Sequence, residues 1–131
     1  MADAADIQGQ AFKNGSAILL ARVLGADAAP IVQADLDSAK YSIYRLDRQD
    51  PDSRAPVSGH DDAELNVAEL IFDELQTDDL WTVDQTGYNF RHTVDVSQDQ
   101  AFANVGLYLV EFELNPDSGQ VILVRFQLNV I

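Results

Sequence analysis

The sequence contains no cysteine, which excludes disulfides, thiolate chemistry and Cys-ligated zinc. Basic residues are also scarce: 8 Lys and Arg stand against 22 Asp and Glu, giving a formal net charge of -14. Such a charge repels phosphate backbones and anionic lipid surfaces, so we expect neither nucleic acid nor a membrane as partner. It suits a soluble protein that resists sticking to itself, or one whose partner is basic.

Apolar runs long enough to cross a membrane are missing as well. Residues 1–6 are acidic and lack the basic and apolar regions of a signal peptide, so we expect a cytoplasmic chain unless it leaves in an assembly. There is no Gly-x-Ser-x-Gly elbow, Walker loop or Gly-x-Gly-x-x-Gly run. We therefore predict no catalytic residues, no cofactor and no enzymatic activity.

Metal-binding patterns are equally weak. His60 is followed by Asp61 and Asp62, but three adjacent side chains do not converge easily on one ion. We interpret this stretch as a solvated loop and predict no metal site. The other histidine, His92, shares a strand face with Tyr88 and Phe90, which is typical of a histidine in or beside a core.

The sequence has 47% hydrophobic residues in 131, enough for one folded domain. Apolar residues alternate with period two over residues 39–46, 88–96 and 107–130, which predicts half-buried strands. Strands at this spacing, joined by long polar connections, favour a sandwich. We predict an all-β sandwich of about seven mostly antiparallel strands in residues 16–131, preceded by an N-terminal arm over residues 1–15.

Three stretches carry specific expectations. Residues 17–24 are apolar on both faces apart from one arginine, which predicts a central strand buried from two sides. Residues 47–64 are too polar to pack and are predicted to be an irregular surface loop. Residues 65–75 suit either a strand or a short helix, and we choose an irregular strand over 66–72. Helical turns are expected near 33–38 and 74–80.

The strongest pattern is a hairpin over residues 106–131, with Pro116 and Gly119 in its turn. Its even-numbered side chains are large and apolar on both strands, so this face is predicted to pack the core. A register with Leu114 opposite Ile122 would place Glu111 opposite an arginine on the outer face.

The outer face of this hairpin also carries aliphatic residues, more than scattered exposure requires. The N-terminal arm, another strand or another subunit could cover them, and we favour another subunit or particle protein. The single tryptophan could plug the end of the sandwich or form a contact, and plugging is favoured. The interface candidates are Leu107, Leu109, Val121, Leu123, Ile131 and Trp81.

Acidic side chains cluster around this tryptophan. They lack the ligand spacing of an EF-hand loop, so we expect a solvated surface there with at most incidental, weak calcium binding. The cluster consists of Asp73, Glu74, Asp78, Asp79 and Asp84.

The run from Trp81 to His92, followed by the Asn-Pro-Asp-Ser-Gly hairpin turn, resembles small immunoglobulin-like β-sandwich modules of tailed-bacteriophage virion proteins. The stretches 20–23, 31–36 and 41–44 resemble their opening strands. The resemblance implies an immunoglobulin-like fold and a location in the virion, as a capsid decoration or as a neck, tail or baseplate part.

We therefore expect a non-enzymatic structural protein that acts through protein–protein contacts. Its partners would be other virion proteins or further copies of itself, in a homo-oligomer or a larger assembly. One alternative is a soluble acidic sandwich that binds a small ligand or glycan. Another is a hydrolase that uses paired carboxylates. A pocket with convergent polar groups would favour these alternatives.

Overall fold

The computed structural model describes residues 7–13, 15, 17–25, 29–47, 49–50, 53–57, 59–82, 84–94, 102, 104–117 and 121–131. Within these residues it contains nine strands, a 3-10 turn at Gln33–Asp35 and a one-turn helix α1 at Val67–Leu70. The strands are β1 Ile7–Ala11, β2 Ala17–Ala21, β3 Leu36–Leu46, β4 Arg54–Pro56, β5 Ala63–Leu65, β6 Ile71–Gln76, β7 Tyr88–Val94, β8 Gly106–Pro116 and β9 Ile122–Val130.

The strands form two sheets that pack face to face. The larger sheet has the order β1-β9-β8-β3, and both β4 and β5 pair with the far edge of β3. The smaller sheet has the order β2-β7-β6. Among the described pairings, β1 with β9 is parallel and the others are antiparallel. The all-β sandwich of mostly antiparallel strands is therefore confirmed.

The hairpin of β8 and β9 has the predicted register. Leu114 faces Ile122 and Glu111 faces Arg125 along the ladder. The even-numbered side chains from Tyr108 to Leu114 and from Val124 to Val130 point into the core and are buried, while Ile122 is half-buried. The alternation was sufficient here because one face is apolar without interruption, which leaves a single register that buries it.

Aromatic rings join the two sheets at the centre of this core. The Phe90 ring on β7 meets the Phe112 ring edge-on, with centroids 4.8 Å apart, and stacks against Phe126 at 5.9 Å. Phe112 and Phe126 also meet edge-on, at 5.8 Å. Offset and edge-to-face geometries are those that aromatic pairs prefer. Each ring is buried, so the cluster fixes how the sheets lie on one another.

The prediction for residues 17–24 is wrong. Within the described residues β2 pairs only with β7, so it is an edge strand rather than a central one. Leu19 and Ala21 are buried against the core, whereas Ile18 and Leu24 are exposed. An apolar residue at the surface is common, so apolar character on both faces did not require burial on both.

The chosen strand over residues 66–72 is wrong in its first half. The Asn66 side chain accepts a hydrogen bond from the Ala68 backbone N–H at 3.1 Å, which caps α1 as a helix N-cap does. Strand β6 begins only at Ile71. The helical turn near 33–38 is confirmed at Gln33–Asp35. Near 74–80, β6 continues to residue 76 and a turn follows at 78–80.

Two further segments form short strands. The stretch 47–64 contributes β4 and the first residues of β5, and these short strands raise the strand number above seven. Strand β1 lies within the segment predicted as an arm and extends the edge of the larger sheet beside β9. It therefore does not cover the outer face of the hairpin.

Truncating a ring of the central cluster should destabilise the fold strongly. Phe126→Ala removes buried apolar surface and leaves a cavity, so we expect a loss of about 3–5 kcal/mol in the free energy of unfolding. Urea unfolding followed by circular dichroism measures it. Phe12→Ala deletes the same group from an exposed position and is the matched control. Equal midpoints for the two variants would contradict the inward assignment of the even-numbered face.

Candidate functional site

The predicted interface residues differ in exposure. Leu109 is only 3% exposed and lies outside the inter-sheet cluster, so the chain itself already covers it. Leu107 and Leu123 are half-buried, while Val121 and Ile131 are exposed. The set of interface candidates expected from the sequence is therefore corrected at one position, because Leu109 is not available to a partner.

Ion pairs cross the outer face between these aliphatic side chains. Arg125 Nε lies 3.5 Å from the Glu111 carboxylate, as the predicted register requires. Lys40 Nζ lies 3.1 Å from Glu113 and 3.3 Å from Asp62, and a hydrogen bond to Glu113 is the main reason why the pKa of Lys40 is raised. These charges interrupt the outer face, so its middle is not an apolar docking surface.

The most exposed apolar group lies at one end of this sheet. Ile131 N donates to the Ala11 carbonyl and Lys13 N donates to the Ile131 carbonyl, both at 2.9 Å, which pairs Phe12 with Ile131. Their neighbours in the ladder, Ala11 and Val130, are buried, so Phe12 and Ile131 point outward.

Val105 completes this group, because it precedes Gly106, the ladder partner of Val130. Phe12 is 71% exposed, Val105 56% and Ile131 51%. We call these three residues the end patch. Sequence reasoning found only Ile131, since placing Phe12 beside it depends on a parallel pairing across the whole length of the chain.

An open groove of about 560 Å³ lies beside the end patch, between the end of β3, β4 and the start of β8. Its lining combines two arginines, Arg45 and Arg54, with the aliphatic side chains of Leu46, Leu107 and Val105. We call it the arginine groove.

Glycine is favoured at position 106 by its backbone conformation and not by Arg45, with which a Cβ would make only ordinary contact. A Cβ built at Gly106 would lie 3.6 Å from Arg45 Nε, and the φ of Gly106 is +151°. Arg45 Nη2 donates to the Val105 carbonyl at 3.3 Å. Arg54 lies over the Tyr44 ring, with its guanidinium carbon 4.5 Å from the ring centroid. Both guanidinium groups are thus positioned by carbonyl and ring contacts.

The Trp81 loop, by which we mean residues 77–82 and 84–87 between β6 and β7, is fixed by one carboxylate. Asp84 accepts hydrogen bonds from Trp81 Nε1, Arg22 Nη1 and the backbone N–H groups of Thr86 and Gly87, at 2.8–3.1 Å. These donors hold the pKa of Asp84 far below its ordinary range, and the hydrogen bond from Trp81 makes the largest contribution.

Trp81 itself packs into the base of this loop. Its ring lies 5.6 Å from the Tyr88 ring, and Tyr88 donates its hydroxyl hydrogen to Asp78 at 2.7 Å. Gly87 is required beside it, because a Cβ there would lie 2.5 Å from the Gln76 carbonyl oxygen. Leu80 and Asp79 remain exposed on this fixed loop. The acidic cluster predicted from the sequence thus contains carboxylates with different roles.

Both histidines lie near one ring at the margin of the core. His60 is only 5% exposed, so the solvated position expected for it is wrong. Its Nδ1 lies 2.7 Å from the Tyr41 hydroxyl, and the His92 ring centroid is 5.0 Å from that of Tyr41. Burial, and then the charge of His60, lowers the pKa of His92 to about 4.

Asn89 is a further buried polar residue that the alternation missed. Its side chain accepts from Val23 N at 2.7 Å and donates to the carbonyls of Val23 and Ile31 at 3.0 Å each. These bonds connect Asn89 to two segments that an isolated antiparallel bridge between Leu24 and Pro30 also joins, and they satisfy a polar side chain inside the protein.

Metal ligands and membrane-spanning helices are not found in the described part of the chain. No group of three or more His, Cys, Asp or Glu side chains there could hold a metal ion. No described helix has the length and apolar character needed to cross a bilayer.

Comparisons with known proteins find no relative. No protein-family model, no curated protein and no solved structure matches this chain. Functional inference therefore rests on the end patch, the arginine groove and the Trp81 loop.

The low pKa of His92 predicts acid destabilisation. The unfolded chain takes up a proton at His92 below its ordinary pKa of 6.5, and the folded chain only below about 4. Stability is therefore full above pH 6.5 and falls by up to about 3 kcal/mol on the way to pH 4. Urea unfolding at several pH values should show a shallower decline for His92→Phe, while Thr93→Ala keeps the parent slope. Identical slopes for His92→Phe and the parent would contradict the assignment.

Removing the Asp84 carboxylate should loosen the Trp81 loop. Asp84→Ala deletes the acceptor of four hydrogen bonds, so the indole should become more exposed to water. The single tryptophan gives a direct measurement: fluorescence emission of the folded variant should shift to longer wavelength and be quenched more readily by iodide. Asp79→Ala, in the same loop, should leave both signals unchanged. A parent-like spectrum for Asp84→Ala would show that other contacts fix the loop.

Proposed function

We propose that this chain is a non-enzymatic structural protein that acts through protein–protein contacts. The observation that carries the proposal is the end patch, in which Phe12, Val105 and Ile131 are grouped and exposed at one end of the larger sheet. Grouped apolar side chains on a surface mark interaction sites far more often than single ones do.

The surroundings of the patch favour its use as an interface. The next pair along the ladder, Gln10 with Asn129, is uncharged, whereas the middle of the outer face carries ion pairs. A net charge of -14 disfavours unspecific association elsewhere. Covering the patch contributes about 25 cal/mol for each Å² of apolar area removed from water. Contacts are therefore most favourable at this end of the sandwich.

The finer proposal is a component of a tailed-bacteriophage particle, as a capsid decoration or a neck, tail or baseplate part. Its support is the resemblance of residues 81–92 and of the hairpin turn to phage sandwich modules, together with the β-sandwich fold.

Charged substitutions in the end patch should abolish assembly without unfolding the protein. We expect Phe12→Lys with Ile131→Lys to keep the parent urea midpoint, because both side chains are exposed. In native pull-downs from the producing cells or particles, analysed by mass spectrometry, the parent should retain particle proteins that this variant loses.

Ile18→Lys with Leu24→Lys is the matched control, since it places the same charges on two exposed apolar positions elsewhere. It should retain the partners of the parent. If the Phe12 and Ile131 variant retains them too, the end patch is ordinary surface and the proposal loses its main support.

A further inference from the structure

We propose that copies of this chain associate head to tail, with the Trp81 loop of one copy docked in the arginine groove of the next. This inference rests on the proposed assembly function and names a second copy of the chain as partner. Leu80 of the loop would lie on the aliphatic floor of the groove, and Asp79 would pair with the Arg54 guanidinium.

The groove supplies cations that have no acidic partner among the residues that the structure describes. In the described residues, Arg22, Lys40 and Arg125 each form an ion pair with a carboxylate. Arg45 and Arg54 form none with any described residue, although carboxylates greatly outnumber basic groups in this chain. Arg54 lies on the same face as its ladder partner Leu46, whereas Arg45 starts from the opposite face and its guanidinium lies near Gly106. A guanidinium fork binds carboxylates in a defined geometry, so Arg54 beside the aliphatic floor favours an acidic ligand that also carries an apolar side chain.

The groove also contains one carboxylate, Asp47. It is engaged within its own turn, where it accepts from the Gln49 backbone N–H at 2.9 Å. It forms no ion pair with either arginine, and the described lining of the groove carries two positive formal charges against one negative charge.

The Trp81 loop supplies the complementary groups. Asp79 makes no hydrogen bond or ion pair with the described residues, whereas Asp78 is held by Tyr88 and Asp84 by four donors. Leu80, which follows Asp79 in the chain, is an exposed leucine. Because Asp84 and Trp81 already fix the loop, docking would cost little conformational entropy.

The two surfaces lie on different sheets of the same molecule, so each copy presents both. A contact between unlike surfaces repeats from copy to copy and builds a ring or a filament, unlike a two-fold dimer. The net charge of -14 opposes approach over long distances, and physiological salt screens that repulsion beyond about 8 Å. Attraction between the groove and the loop acts within that distance.

Two variants test the contact from its two sides. Arg45→Gln with Arg54→Gln removes the positive charges of the groove. Asp79→Lys with Leu80→Ser reverses the charge of the loop and removes its exposed apolar side chain. All four side chains are exposed, so folding should be preserved, which circular dichroism checks. In sedimentation velocity at about 0.15 M salt, the parent should form oligomers that grow with concentration. Each variant should associate at least about tenfold more weakly.

The decisive experiment mixes the two variants. The groove variant keeps an intact loop and the loop variant keeps an intact groove, so a head-to-tail contact allows one native interface between them. We expect a 1:1 dimer that does not grow further. Monomers alone in the mixture would overturn the proposal, as would a parent that stays monomeric at every concentration.

Charge controls accompany these variants. Ala68→Glu with Thr93→Glu lowers the net charge by as much as the groove variant does, and Asp61→Lys raises it by as much as the loop variant does. Both controls should oligomerise like the parent. If they lose association as well, net charge rather than the proposed contact controls it, and the proposal fails. Should a double variant not fold, Arg54→Gln and Asp79→Asn give the same comparison.

This test is separate from that of the end patch. A parent that remains monomeric but recovers particle proteins through Phe12 and Ile131 would overturn the head-to-tail contact and leave the proposed function standing. If the parent oligomerises through the groove but recovers no particle protein through the end patch, the head-to-tail contact stands and the proposed role of the end patch fails.

Discussion

Phe90 packs against the hairpin rings Phe112 and Phe126, at centroid distances of 4.8 and 5.9 Å. It joins the smaller sheet to the larger one at the strand β8, which is itself paired on both edges. With these strands fixed, both proposed binding surfaces follow from connections. The arginine groove forms where β3 ends and β8 begins, and the Trp81 loop spans the gap between β6 and β7.

Predictions from the sequence succeeded where the pattern of apolar residues is compatible with a single strand register. The hairpin alternates without interruption, so its inward face and its Glu111–Arg125 pair followed from period two alone. Predictions failed where burial depends on distant segments. Residues 17–24 looked buried from both sides because nothing local reveals that β2 is an edge strand. His60 looked solvated among aspartates, yet a bond to Tyr41 and the backbone pairing of its loop with β3 bury it.

The candidate surfaces were less accessible to sequence reasoning than the fold. Ile131 and Trp81 were identified as contact candidates, but their surroundings were not. Phe12 joins Ile131 only because β1 pairs in parallel with β9, the most distant strand along the chain. Leu109 was expected on an open surface because its parity is outward, yet the chain buries it. Alternation gives the direction of a side chain, whereas exposure also depends on what the rest of the chain places over it.

Scarcity makes the positions of the basic residues informative. Carboxylates greatly outnumber basic groups in this chain, so a basic side chain usually has a carboxylate within reach. Lys40 and Arg125 accordingly form ion pairs with glutamates across the outer face of the sheet. Such exposed pairs contribute little stability in water, so they mainly define which carboxylates remain unneutralised. Arg45 and Arg54 are held instead by a carbonyl and a ring, which position the guanidinium groups without neutralising them. A carboxylate from outside therefore gains more at the groove than anywhere along the paired face.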